Sequence, residues 1–309
     1  MFSWWNNFLR FASLTSFASL STLPPLQPGH SRLFLCRHGE TDSNKLRLLQ
    51  GSSSDAPLNR IGTAQAEALA CSLSKLDLDH VASSSLRRAV ETADAIEVAQ
   101  SRAGAIERSA HAELCEQAFG CLEGRPIADC KEQFAELNAK WHAGRTDVPV
   151  ADGESPDDVL ARARAVLWAN GMLGSLEPGR QVAVVAHSTF NKVVLSHTLG
   201  KGLPRMGEVR QSLCCINVLD VAVAARTVSV VAVNIQPEAA DLPQLEVGMG
   251  AHGRAIPSDP ASWKCDETGV TDNLWLNLST GFIGSGRANW DGTGGNGAAM
   301  RHYEATGRR

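Results

Sequence analysis

The sequence contains no Cys-x-x-Cys pair, although it has eight cysteines, at positions 36, 71, 115, 121, 130, 214, 215 and 265. With the cysteines scattered through apolar and helix-like runs, that absence argues against a complete zinc site or a secreted disulfide framework. The cysteines read as reduced thiols acting as small apolar residues. Excess positive charge is also lacking. The formal net charge of −4 gives nucleic acid or an anionic membrane no bulk attraction. Nor is there a bilayer-length apolar run, since the stretch from Phe11 to Leu23 is short and broken by Ser and Thr. Residues 1-30 hold no acid and one arginine amid Ser, Phe and Leu, which reads as a targeting segment or as a disordered leader. They are set apart from the fold, and the expected location is cytoplasmic or organellar.

From Arg32 onward, apolar strands and amphipathic helices alternate. "RLFLC" and "QVAVVAHS" are continuous apolar runs, and "DHVASSS" is a shorter strand. The spacing predicts helices over "NRIGTAQAEALACSLSKL", capped at Asn59, and over "LRRAVETADAIEVAQS". It predicts two more over "ESPDDVLARARAVLWANGML" and "TFNKVVLSHTLG", the last stopped by Gly200. "CCINVLDVAV" and "TVSVVAVN" read as closing strands. Strands apolar on both faces and separated by helices predict an α/β fold, a three-layer α/β/α sandwich around a mostly parallel central sheet. Residues 31-235 form this domain, 236-261 read as a Pro- and Gly-rich linker, and 262-309 as a Gly-, Asn- and Trp-rich tail.

Both long apolar strands end in a histidine, His38 after Arg37 and His187 before Ser188. In an open parallel sheet, ligands bind at the carboxyl ends of the strands. Two imidazoles and a guanidinium gathered there make a pocket for an anion. Arg37 offers a planar fork of donors to phosphate oxygens, and a neutral imidazole is a nucleophile toward phosphorus.

This arrangement resembles the histidine phosphatase superfamily, the phosphoglycerate mutase-like proteins, over roughly residues 32 to 235. The motifs stand in the family's order: "RHGET" with Asn44, "QGSSSDAPLNRIGTAQA", "SSSLRRAVETA", "LCEQAFGCLEG", "GESPDDV" and "VVAHS". The resemblance implies that His38 attacks phosphorus and becomes a phosphohistidine. It implies that Arg37, Arg88 and His187 hold the phosphoryl oxygens, with Arg88 preferred to its neighbour Arg87. Glu116 would protonate the leaving alkoxide and then activate water. Thr41 and Asn44 would add donors at the pocket rim. No cofactor or metal is implied, since cationic side chains take the place of Mg²⁺. Ser188 departs from the pattern, standing where glycine is common, and bears on substrate choice. Cys115 reads as packing, and His80, His111, His142 and His197 as structural or exposed.

Members that act as mutases resemble one another in a long insert with paired arginines between the acid loop and the second histidine. Here that interval is short and contains no Arg-Arg pair; Arg125, Arg145, Arg162 and Arg164 stand singly. Hydrolysis of phosphate monoesters is therefore expected, on a small phosphorylated metabolite or a phosphoprotein, with mutase-type phosphotransfer as the alternative.

The tail is similar to the UBP-type zinc finger of isopeptidase T-like deubiquitinases, which grips the free tail of ubiquitin. "NLWLNLSTG" and "NWDGTGGNGAAMRHY" carry the resemblance. Trp275 and Arg287 match residues that help bind the ubiquitin tail in the family. The zinc-ligand positions fall on Cys265, Thr268, Ser285 and Ala298, so Cys265 is at most a remnant of a metal site. The chain ends before the strands that complete the family's finger, and the composition predicts no stable core for the tail alone. A ubiquitin-tail binder and a non-functional fused fragment both stand open as readings.

Overall fold

The computed structural model describes residues 19–100, 106–168, 172–173, 176–237, 262–271, 274–276, 282–285 and 297–305. The chain separates into two compact units, Met1–Pro243 and Gln244–Arg309. The expectations for residues 1–18 and for most of the linker, 238–261, lie outside the described residues.

The first unit runs β1 (His30–Arg37), α1 (Asp42–Lys45), α2 (Arg60–Leu73), β2 (His80–Ser84), α3 (Arg87–Ala99), β3 (Glu107–His111) and α4 (Lys131–His142). It continues α5 (Pro156–Leu167), β4 (Gln181–Ala186), α6 (Ser188–Thr198), β5 (Ile216–Ala222) and β6 (Thr227–Ile235). The six strands form one sheet in the order β3-β2-β4-β1-β5-β6. The first four are parallel, and β5 and β6 add an antiparallel edge, so the sheet is mixed and mostly parallel as expected.

Side chains on a strand alternate between faces, which explains the continuous apolar runs. On β1, Leu33 and Leu35 pack into a cluster with Val159 and Val166 of α5 and Val193 and Leu195 of α6. Phe34 and Cys36 point the other way, toward Leu69 and Leu73 of α2 and Ala89 and Ile96 of α3. These are the three layers. The described part of the leader joins them, because Leu20 and Leu23 pack against the second cluster and the Pro24 carbonyl accepts from Arg32 Nη1 at 3.0 Å. Residues 19–29 thus lie against the fold from which the sequence reading set them apart.

Local signals behave as read. Asn59 caps α2, its side chain accepting from Gly62 N–H, and Gly200 ends α6 at φ +69°. Helix α5 is shorter than its pattern, stopping at Leu167 where Trp168 turns extended. Strand β3 carries no apolar signature, reading Glu-Arg-Ser-Ala-His on the sheet edge; α4, which the sequence reading did not name, buries Trp141 and packs Phe134 and Leu137 of the same helical stripe against the core.

In the second unit, β7 (Leu274–Leu276) pairs antiparallel with β8 (Ile283–Ser285), and α7 (Ala298–Ala305) follows. Gly284 permits a close approach of α7, since a Cβ there would meet Ala299 N at 2.5 Å. Asp266 accepts from Ile283 N at 2.7 Å, and the rings of Phe282 and His302 stack at 4.0 Å. These short elements fall in the tail for which the composition predicts no stable core alone. Its strands are three residues long, too short to register as a pattern.

Candidate active site

The parallel pairing of β1 with β4 sets Arg37 beside Ala186, so His38 and His187 leave the sheet side by side. His38 N–H donates to the Ala186 carbonyl at 3.1 Å, and the two imidazole centroids lie 5.1 Å apart. His38 Nδ1 is 2.7 Å from the Gly39 carbonyl, which can only accept. The proton is therefore on Nδ1 and the lone pair on Nε2. Burial, then the charges of Arg88 and Arg37, hold His38 well below the usual imidazole range, although the Gly39 bond opposes this. The ring is neutral at pH 7.

Arg37 is fixed by its Nη1, which donates to the Gln211 carbonyl at 2.7 Å. Arg88 is wholly buried, with Nη1 on the Ser54 carbonyl at 2.5 Å and Nη2 on the Gly51 carbonyl at 3.1 Å. Its neighbour Arg87 points outward and pairs with Glu91. Burial lowers both buried guanidinium pKa values, and Glu116 raises each in part. His187 has no exposed surface, and burial followed by Arg88 lowers its pKa well below the ordinary value. Arg37 Nε, Arg88 Nε and both ring nitrogens of His187 are buried without any hydrogen-bond partner. Unmet buried polar groups are costly, so this cluster is built to meet something that accepts hydrogen bonds.

Glu116 enters from the loop after β3. Its Oε1 accepts from the N–H groups of Gln117 at 2.9 Å and of Thr189 and Phe190 at 3.1 Å, and Oε2 also accepts from Thr189 N–H. The carboxylate therefore sits on the first turn of α6, directly after His187, where amide donors and the helix dipole favour it. Cys115 beside it lies 3.3 Å from Ser84 Oγ.

The remaining expected residues have local roles. Thr41 caps α1 in a reciprocal capping box with Asn44, and its hydroxyl also reaches Gln50 Oε1 at 3.0 Å. Ser188 is the first residue of α6 and is half-buried. Of the other histidines, His80 and His111 both bond Ser109 Oγ, at 2.8 and 2.9 Å. They line a separate cavity of about 760 Å³ that holds none of the groups described above. His197 packs edge-on to Trp168, and His142 is exposed.

Sequence reasoning missed the supporting residues. Gln211 Oε1 accepts from Asn191 and Asn217, whose amides also reach the Cys36 and Leu35 carbonyls, so the loop holding Arg37 is tied to β1. Thr92 Oγ1 accepts from Gly39 N–H at 3.1 Å and donates to the Arg88 carbonyl, linking the two halves of the pocket. Gln50 Nε2 is a further buried donor without a partner. Lys192, half-buried at the start of the second turn of α6, has its pKa lowered by burial, with Glu116 opposing and Arg37 adding to the shift. Gln50 and Thr92 lie inside the quoted "QGSSSDAPLNRIGTAQA" and "SSSLRRAVETA" stretches but were not singled out there, and Gln211 and Lys192 lie in no quoted motif.

In the second unit, the Trp275 side chain and Arg287 lie outside the described residues. Cys265, Ser285 and Ala298 are buried. Burial pushes the Cys265 thiol up, but hydrogen bonds from the Thr268 side chain and the amides of Glu267, Ser285 and Thr268 bring it down to about 7. One sulfur beside a threonine, a serine and an alanine does not fit tetrahedral zinc. Among the described residues, no group of three or more His, Cys, Asp or Glu side chains is placed to hold a metal. No helix among them is long and apolar enough to cross a membrane.

A short match, 56% identical over 54 residues, is to ubiquitin carboxyl-terminal hydrolase 14 of Arabidopsis thaliana, covering 18% of this chain and 6% of that protein. The probable phosphoglycerate mutase GpmB of Proteus mirabilis is 32% identical over 191 residues, 61% of this chain and 84% of that one. Fructose-2,6-bisphosphatase TIGAR of Xenopus tropicalis is 42% identical over 132 residues, 43% of this chain and 46% of that one. The chain thus spans less than half the length of two of these three relatives. A mycobacterial glucosyl-3-phosphoglycerate phosphatase, solved with VO3, superposes with a TM-score of 0.57 at 27% identity, covering 66% of this chain and 99% of that one. The model of the histidine phosphatase superfamily (branch 1) matches residues 33–234. With that span holding nearly all of the six-stranded sheet together with His38 and His187, the chain belongs to the histidine phosphatase superfamily, branch 1.

Proposed function

We propose that this chain is a metal-independent phosphatase that hydrolyses phosphate monoesters of small metabolites through a phosphohistidine. The observation that carries the reading is the set of buried, unpartnered donors on Arg37, Arg88 and His187, facing a neutral His38 whose Nε2 keeps its lone pair. Relatives named as phosphatases support it. In the first half-reaction, His38 Nε2 bonds to phosphorus as the P–O bond to the leaving group breaks, and the departing alkoxide takes a proton from Glu116. In the second, water attacks the phosphohistidine and gives a proton back to Glu116, releasing phosphate and restoring His38. Arg37, Arg88 and His187 hold the three non-bridging oxygens and spread their charge, the largest contribution expected in such a site.

Phosphotransfer of the mutase kind is the second reading, favoured by the named mutase relative that the chain largely covers. The short interval between Glu116 and His187, without paired arginines, weighs against it. Ubiquitin-tail binding by the second unit rests on the short deubiquitinase match alone.

The test is phosphate release from a panel of monoesters in EDTA, comparing wild type with His38→Ala. Release that resists EDTA and disappears in the variant is expected. Release that survives in His38→Ala would overturn the mechanism, and inactivity of wild type on every ester would overturn the hydrolase.

A further inference from the structure

The sequence left Arg162 as an isolated arginine on α5, yet all five of its N–H donors are used. Nε and one Nη2 hydrogen grip Glu154 in a fork, at 2.8 Å to Oε1 and 3.0 Å to Oε2. Nη1 donates to the carbonyls of Glu113 at 2.8 Å and Cys115 at 2.7 Å. The other Nη2 hydrogen goes to the carbonyl of Glu116 itself, at 3.1 Å. One guanidinium thus holds three carbonyls of the segment that carries the proposed acid.

Glu154 clamps the same segment from the other side. Its Oε2 accepts from Ala118 N–H at 2.9 Å, and its main chain bonds both Ala118 O at 2.8 Å and Gln117 Nε2 at 2.6 Å. The Arg162 guanidinium also lies 5.5 Å from the centre of the Phe190 ring, and Phe190 supplies one of the amides that receive the Glu116 carboxylate. Loop, helix α5 and helix α6 therefore meet at Arg162, whose side chain is only 18% exposed.

We infer that Arg162 is the positioning residue for Glu116: it fixes the carboxyl group where the leaving oxygen and the attacking water need it, without touching the phosphoryl group. This inference rests on the phosphatase reading above. It predicts a selective defect. Arg162 matters when a proton must reach the leaving group and again when water must lose one, and little when the leaving group departs as a stable anion. Lysine cannot substitute, because a single ammonium cannot bond three carbonyls and grip a carboxylate in a fork.

The experiment compares wild type, Arg162→Lys and Arg162→Ala on an alkyl phosphate and on p-nitrophenyl phosphate, whose phenolate leaves unprotonated. General acid–base catalysis typically contributes about 10²–10⁴-fold, so kcat/KM on the alkyl ester is expected to fall by about 10-fold or more. On p-nitrophenyl phosphate, kcat/KM should change by no more than about threefold, while kcat falls and a burst of nitrophenol marks slow dephosphorylation. In a Glu116→Gln background, Arg162→Lys should add nothing further on the alkyl ester. Equal losses on both esters, no loss on the alkyl ester, or full additivity with Glu116→Gln would each overturn the assignment. If Arg162→Ala does not fold, Arg162→Lys decides. Wild-type inactivity on both esters would instead strike the phosphatase reading, so the two failures are distinct.

Discussion

Replacing Arg88 with methionine should cost catalysis heavily and stability almost nothing. In the structure, Arg88 is a fully buried cation whose partners are two carbonyls, with no carboxylate in hydrogen-bonding contact and Nε unmet. Its burial is unfavourable while the pocket holds no anion. Methionine fills a similar volume without the charge, and exchanging a buried ionic group for an apolar one is often neutral or stabilising. Two carbonyls lose their donors, a cost of about 1–3 kcal/mol each if water does not replace them, which the relieved desolvation offsets. The catalytic loss should resemble removal of one donor from an oxyanion hole, about 10²–10³-fold in kcat, or roughly 2.7–4 kcal/mol. The melting temperature should separate the two effects. Vanadate or phosphate at 100 times its Kd should stabilise wild type by about 2.7 kcal/mol. For a domain of this size that is a rise of roughly 5–10 °C. Arg88→Met should melt at or above the wild-type temperature without anion and gain little when anion is added. A variant that loses several degrees without anion, yet keeps the full shift with it, would show that Arg88 is a structural residue and refute the reasoning.

Three further outcomes follow from the same site. His38 and His187 are held neutral in the fold, so the unfolded chain binds protons that the native one refuses. Stability is complete above about pH 6.5 and falls below it, by up to about 1.4 kcal/mol per pH unit for each histidine. Denaturation curves from pH 7.5 to 5 should show this slope, and His187→Asn should flatten it; equal slopes would contradict the assigned neutrality. Gly39→Ala places a Cβ 2.5 Å from the rigid Gly62 carbonyl, so it should cost about 1–3 kcal/mol and shift the neighbouring His38; an unchanged midpoint and unchanged activity would argue against that close packing. The second unit, with a single sulfur at the four finger positions, should carry far less than one zinc per chain by elemental analysis, and stoichiometric zinc lost on Cys265→Ser would overturn the misfit.

The residues proposed to touch phosphate were legible because their chemistry narrows the choice. A strand buried on both faces has no packing reason to end in Arg37-His38, and the same oddity at His187 marked the second strand end. Once the two were paired in register, the pocket followed. Arg88 and Glu116 needed the family resemblance, since a helix arginine and a loop glutamate look like ordinary surface charges in a single sequence. Nothing local showed that Arg88 is wholly buried while Arg87 points outward. The supporting residues were not legible at all, and the reason is physical. Arg162 bonds main-chain carbonyls of Glu113, Cys115 and Glu116, and a carbonyl carries no side-chain identity that a sequence could advertise. Gln211 likewise acts on Arg37 through its own backbone oxygen, while its side chain settles a buried amide network with Asn191 and Asn217. Strand β3 escaped for a related reason: an edge strand is specified by its ladder to β2, so its side chains were free to be Glu, Arg, Ser and His. The same logic extends to the proposed acid. Its type could be read from one letter, but its orientation depends on amides of Thr189 and Phe190, on a helix far along the chain, and on an arginine that reaches its segment through backbone carbonyls. A substitution that preserves Glu116 but loosens that grip would therefore leave every recognisable motif intact and still impair proton transfer.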